Sequence, residues 1–240
     1  MMERIVDASP RRLARAAGAL YLLTLLTGFI AQFLISARLV TPDASTTAAN
    51  LAAHRQAFEW GFTVYLIEMA CQIAMTALFY NLLEPVSRSL SLLTAALGLV
   101  GCTIKTLGRI FYLAPMLVLT PGSASGAFPR EQLQALAQLS LQANDLAAGT
   151  ALAFFGFAAL VKGYLIIRST FLPRVLGMLS IVAGVAWLTF LSPALGNRAF
   201  PIIMPLGLLA AGAHILWLLV VGVNEPRWRE QASAAGVRLS

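Results

Sequence analysis

The sequence predicts an all-α fold, a polytopic membrane bundle of six transmembrane helices with both termini cytoplasmic. Three observations predict it. Of the 240 residues, 59% are hydrophobic and 11% charged, against about 45–50% and about 25% in average soluble domains. The apolar residues gather in six blocks, each long enough to supply the roughly 20 residues that a bilayer-crossing helix needs. The basic residues favour one side of those blocks, the asymmetry that keeps Lys and Arg cytoplasmic.

Residues 1–15 form a basic cytoplasmic lead, with Arg11, Arg12 and Arg15 placed among anionic headgroups. The first block, 16–37, is long and ends without a clear small-x-small cleavage site, so it reads as a retained span, not a signal peptide. In the loop that follows, Asp43 can cap a short helix over 44–55. The second and third blocks, 58–83 and 90–119, are joined by a short turn carrying Arg88. A Gly-, Ser- and Pro-rich loop over 120–130 leads into 131–142, where Leu133, Leu136, Leu139 and Leu141 form a stripe among glutamines. That stretch is an interfacial helix or an outward extension of the fourth span, 146–167. The fifth span covers 171–195, starting in a turn where Pro173 suits a helix start. Pro193, Pro201 and Pro205 are expected in a last outer turn, ending the fifth span and distorting the start of the sixth, 200–223. Residues 224–240 are a cytoplasmic tail. Outside the 16–223 membrane domain too little chain remains for a soluble domain.

The net charge of +7 does not mark a nucleic-acid binder, because its distribution follows the spans. Arg4 and the 11–15 arginines precede the first span, and Arg88 lies between the second and third. Lys162, Arg168 and Arg174 flank the turn between the fourth and fifth, while Arg227, Arg229 and Arg238 follow the sixth. The opposite loops carry Arg38, Arg55, Arg130 and Arg198. The expected partner is the lipid bilayer of the cell inner membrane.

Glycines recur at packing intervals: Gly98 and Gly101, Gly149 and Gly156, Gly177 and Gly184, Gly207 and Gly212. Such spacing lets helix backbones approach closely, within the bundle or against a second copy or membrane partner. Cys71 and Cys102 lie inside spans and read as small buried hydrophobes. His54 and His214 are too far apart for a haem pair, and His214 reads as a hydrogen-bonded packing residue. Ser180, Asp145 and His214 are not placed as an evident triad, and no phosphate loop, zinc-protease motif or nucleophile elbow occurs. No catalytic residue, metal ligand or cofactor is assigned.

The strongest chemical signal is a pair of cations one helical turn apart, Lys105 and Arg109, within the apolar block 90–119. An ionised side chain near the bilayer centre costs about 2.5–3.5 kcal/mol on insertion scales. Like charges at i, i+4 also repel. The pair therefore calls for acidic partners on a neighbouring helix or a water-filled cavity. Glu68 lies about ten residues, or about 15 Å of helix, below the outer end of the second span. Arg109 lies at a matching depth, so Glu68 can face Arg109 or Lys105. Glu59 opens the second span and Asp145 the fourth. Tyr65, Glu68, Gln72 and Met75 share one helix face, as do Cys102, Lys105, Arg109 and Tyr112. The candidate ligand-binding residues are Glu68, Lys105, Arg109, Asp145, Tyr65, Gln72 and Tyr112. Three readings remain open: an outer-half pocket binding or transporting a small polar or anionic molecule, a buried network fixing helix register in a structural or accessory subunit, or, least supported, a membrane-embedded enzyme.

Several stretches resemble a known family. They are Arg15-Ala16-Ala17-Gly18-Ala19-Leu20-Tyr21, the turn Pro85-Val86-Ser87-Arg88-Ser89-Leu90, Phe154-Phe155-Gly156, Gly163-Tyr164-Leu165-Ile166-Ile167-Arg168-Ser169 and Phe171-Leu172-Pro173-Arg174-Val175-Leu176-Gly177. Together they are similar to a bacterial integral-membrane family of unknown function, number four-three-eight-six, over about residues 10–223. Thr170 stands where that pattern expects glycine, and Lys162 where it expects an apolar residue. The resemblance implies a multi-span bacterial inner-membrane protein and carries no activity with it.

Overall fold

The structure, a computed structural model, describes residues 9–120 and 128–236. Arg4, Arg238 and most of the 120–130 loop lie outside the described residues. Among the described residues the secondary structure is helical, with no strand. The elements are α1 (Pro10–Leu39), α2 (Ala44–Ala53), α3 (Arg55–Leu83), α4 (Arg88–Val118), α5 (Arg130–Arg168), α6 (Arg174–Leu191), α7 (Pro193–Val220) and α8 (Glu225–Ala234). All but α2 and α8 are long and apolar enough to cross a membrane, and the chain is a multi-pass membrane protein.

The helix ends follow local chemistry. Asp43 caps α2 as its sequence suggests, with Oδ2 accepting from the Thr46 amide at 2.7 Å and from the Ser45 hydroxyl at 2.6 Å. The leucine-striped 131–142 stretch is continuous with the fourth span in a single 39-residue helix, α5. The expected outer turn over 192–205 is absent, and α7 begins at Pro193. Pro193 occupies the first turn, where its missing N–H costs nothing, while Pro201 and Pro205 sit inside the helix. A membrane helix tolerates such breaks where neighbours satisfy the freed carbonyls.

The chain forms two compact units. The first gathers the chain up to Leu23, Cys71–Cys102 and the chain from Thr150 onward. Its core packs Leu82, Leu83, Leu165, Ile166 and Leu218 around Phe79, Phe171 and Trp228. Glycines set its closest approach. A Cβ on Gly163 would lie 2.7 Å from the Gly177 carbonyl, and one on Gly177 would lie 2.6 Å from the Gly163 carbonyl. Only the bare backbone lets α5 and α6 cross there. Lys162 stands 5.5 Å from the Tyr21 ring centroid and 5.0 Å from that of Phe79.

Residues 221–236 are not a loose tail. Gly222, at φ 75°, takes the left-handed conformation that ends α7. Asn224 then caps α8 by accepting from the Arg227 amide at 3.3 Å. Trp228 is buried and donates to the Leu82 carbonyl at 2.9 Å, satisfying a C-terminal carbonyl of α3. Thr170 donates from its amide and from its hydroxyl to Gln231 Oε1, each at 3.0 Å, so the residue that replaces the expected glycine anchors α8.

The first unit also joins two residues that the sequence left apart. His214 Nδ1 lies 2.7 Å from the Ala210 carbonyl, which can only accept. In the neutral ring, Nε2 then accepts from the Ser180 hydroxyl at 3.1 Å. Antiparallel α6 and α7 bring the two together, and Asp145 belongs to the other unit.

Candidate functional site

The second unit, Thr24–Ala70 and Thr103–Gly149, holds the charged cluster. Its core is aromatic, with Phe58, Tyr65 and Tyr112 buried together beside Leu51, Met116 and Leu141. On α3, Phe58, Tyr65 and Glu68 follow i, i+7, i+10 and are all buried. On α4, Lys105, Arg109 and Tyr112 follow i, i+4, i+7, which brings one face of each helix to the same cluster.

Close backbone approach shapes the enclosure. A Cβ on Gly28 of α1 would lie 3.0 Å from Glu68 Oε1, and one on Gly61 of α3 would lie 2.6 Å from the Tyr112 hydroxyl. One on Gly108 of α4 would lie 2.7 Å from the Ala147 methyl of α5. Four helices therefore reach the cluster.

Glu68 pairs with Lys105, whose Nζ donates to Oε1 at 2.6 Å. Of the two partners open to Glu68, geometry selects Lys105. Arg109 is 3% exposed and has no carboxylate in an ion pair with it among the described residues. Its guanidinium carbon lies 3.5 Å from the Tyr65 ring centroid, and one terminal nitrogen donates to Asn144 Oδ1 at 2.8 Å. A desolvated contact of this cation–aromatic kind contributes about 2 kcal/mol. Asn144 passes the polarity on, donating from Nδ2 to Asp145 Oδ1 at 3.0 Å. Asp145 itself is exposed.

The aromatic wall is fixed in turn. The Phe58 and Tyr112 rings stack at 4.1 Å between centroids, and Tyr65 meets Tyr112 edge-on at 5.3 Å. Tyr65 donates its hydroxyl to Gln32 Oε1 at 2.7 Å. Gln32 lies in a π-helical segment of α1, Ile30–Ser36. Such wide turns recur at functional sites because they re-aim side chains.

Lys105 and Arg109 face one buried carboxylate, Glu68, which ion-pairs with Lys105, and the charge of the exposed Asp145 carboxylate also acts on Arg109. Arg109 Nε and Glu68 Oε2 are buried with no hydrogen-bond partner among the described residues. An unpaired buried polar atom costs about 1–3 kcal/mol, more when charged. A fork of N–H donors beside an ammonium suits a carboxylate or phosphate oxygen.

Of the residues the sequence singles out, Tyr65, Glu68, Lys105, Arg109 and Tyr112 come together. Asp145 joins them through Asn144. Gln72 falls in the first unit, and none of the hydrogen bonds above involves it. The sequence reading missed Gln32, Asn144 and Phe58. Gln32 carried a usable signal, a polar side chain within an apolar span. Asn144 carried little, since it sits beside Gln142 and Asp145 where a helix leaves the apolar region.

No curated protein and no solved structure matches this chain. A sequence-family model matches the chain over residues 16–222. The chain belongs to that family, Domain of unknown function (DUF4386).

Proposed function

We propose that the Arg109 cluster binds a small anionic molecule, as a carrier or receptor site in the outer half of a bacterial inner membrane. The observation that carries this reading is Arg109, buried and charged without a carboxylate of its own. An intramembrane cation is costly, so an anion that offsets that cost gains binding energy. Lys105 adds a second donor, and the aromatic wall holds the guanidinium plane fixed. Asp145, exposed and linked to Arg109 through Asn144, supports an entrance on that side of the cluster. The outer placement follows from the arginine distribution, which puts both termini in the cytoplasm.

The direct test is labelling of Lys105→Cys in a Cys71→Ala, Cys102→Ala protein in intact cells. A membrane-impermeant thiol reagent added outside is expected to react. If it fails while an Ala49→Cys control in α2 reacts, the outward site is wrong. Purified protein should also gain thermal stability with small carboxylates or inorganic phosphate, and Arg109→Gln should abolish the gain. The second reading, a register-fixing lock, is favoured by the closed Glu68–Lys105 contact at 2.6 Å. It predicts no anion-dependent gain.

A further inference from the structure

The first unit carries a second basic feature, independent of the Arg109 cluster. Two cavities of about 550 and about 660 Å³ lie where α8 meets the turn between α5 and α6. They share Thr170, Leu172, Pro173 and Arg227, so they form one continuous groove. Each falls within the roughly 300–1,000 Å³ of small-ligand clefts.

The groove is amphipathic along its length. Arg168, Arg174 and Arg227 line one cavity, and Arg11 joins Arg227 in the other. All four are exposed, and none forms an ion pair among the described residues. Two carboxylates line the groove with them. Glu225 is taken by Arg229 at 3.0 Å, which leaves Glu230 alone against four arginines. The Arg11 cavity continues into an apolar wall of Trp217, Phe171, Leu172 and Val221. Val221 is 47% exposed.

The geometry points to this groove as a binding site for an acidic phospholipid, with the phosphate between the arginines and an acyl chain along Trp217 and Val221. Arginine forks match phosphate oxygens, and cytoplasmic-side basic pockets are where anionic headgroups collect. A free phosphate shares the polar half of this chemistry but has no use for the apolar wall.

The test uses the whole protein, delipidated in a neutral detergent, with tryptophan fluorescence as readout. It is titrated with dihexanoyl phosphatidylglycerol, dihexanoyl phosphatidylcholine and inorganic phosphate. Saturable binding of the glycerol lipid, with the choline lipid and phosphate both much weaker, is the expected result. Each of Arg168→Gln, Arg174→Gln and Arg227→Gln should weaken it about fivefold. Arg198→Gln, which removes an exposed arginine remote in sequence from the groove, should leave it unchanged. Should a Gln variant fail to fold, Arg174→Gln alone decides, since Arg174 is exposed and makes no ion pair among the described residues. Equal binding of the choline lipid, equal binding of inorganic phosphate, or an equal loss in Arg198→Gln would each overturn the proposal.

Discussion

At the scale of single residues, the cluster separates two roles that charge alone does not. Glu68 and Lys105 neutralise one another, so Glu68→Gln leaves Lys105 without the carboxylate of its ion pair. Removing one partner of a buried pair costs about 3–5 kcal/mol. Thermal unfolding of Glu68→Gln should show a loss of that size, and Glu68→Gln with Lys105→Met should recover most of it. No recovery would mean that Lys105 has another partner. Arg109→Lys keeps the charge and loses the planar fork, so it should unfold near the wild-type temperature yet lose anion-dependent stabilisation. Asp43, outside the spans, offers a pH test. Hydrogen bonds from Ser45 and Thr46 hold its carboxyl down at about 2, below the ordinary 3.8. Because the folded value is depressed, the cap is at full strength above the ordinary value and is lost as pH falls through about 2. Exchange of the Thr46 amide should accelerate across that window, and Asp43→Ala should show fast exchange at every pH. A Thr46 amide indifferent to both changes would remove Asp43 as the cap.

At the scale of elements, glycine pairs and an indole hold the first unit. Gly163 and Gly177 face each other's carbonyls, and neither backbone can yield as a flexible side chain would. Gly163→Ala should therefore destabilise the protein by about 1–3 kcal/mol despite alanine's better helix propensity. Gly212→Ala is the control, because a Cβ there meets nothing within 4 Å. Equal stability of the two variants would show that α5 and α6 can part without cost. Trp228→Phe keeps the ring packing but strands the Leu82 carbonyl, at a cost of about 1–3 kcal/mol in unfolding. Unchanged stability would mean that α8 does not cap α3. The sequence made these two cases unequally legible. Glycine spacing announced close packing, and the contact at Gly177 is of that kind. Helix α8 went unread, although Asn224 followed by Glu225 and Pro226 is a helix-start pattern. Its low hydropathy made it look like a tail, and its apolar anchors are two buried side chains, Trp228 and Ala232.

At the scale of the whole molecule, hydropathy made the spans legible because each block must be apolar at bilayer length. Helix periodicity made the Glu68 and Lys105–Arg109 faces legible. Neither signal could choose Lys105 over Arg109 as the partner of Glu68, because that choice turns on tertiary geometry. The approach of Gly28 and the widened turn at Gln32 are tertiary facts with no periodic trace. Topology rests on a third signal, arginine placement, and it carries the argument for which side the cluster serves. Six spans put both ends on one side, whichever side that is. The arginines before α1, at the α3–α4 and α5–α6 turns and after α7 outnumber those on the opposite loops, and each resists translocation. Green fluorescent protein fused after Gly236 should therefore fluoresce, and alkaline phosphatase fused there should be inactive. Phosphatase fused within residues 121–127 should be active, because that stretch of sequence follows the third span. The reverse pattern would place Asp145 and the Arg109 cluster towards the cytoplasm. An anion site there would meet metabolites of the cell interior, and the search for its ligand would have to begin with them.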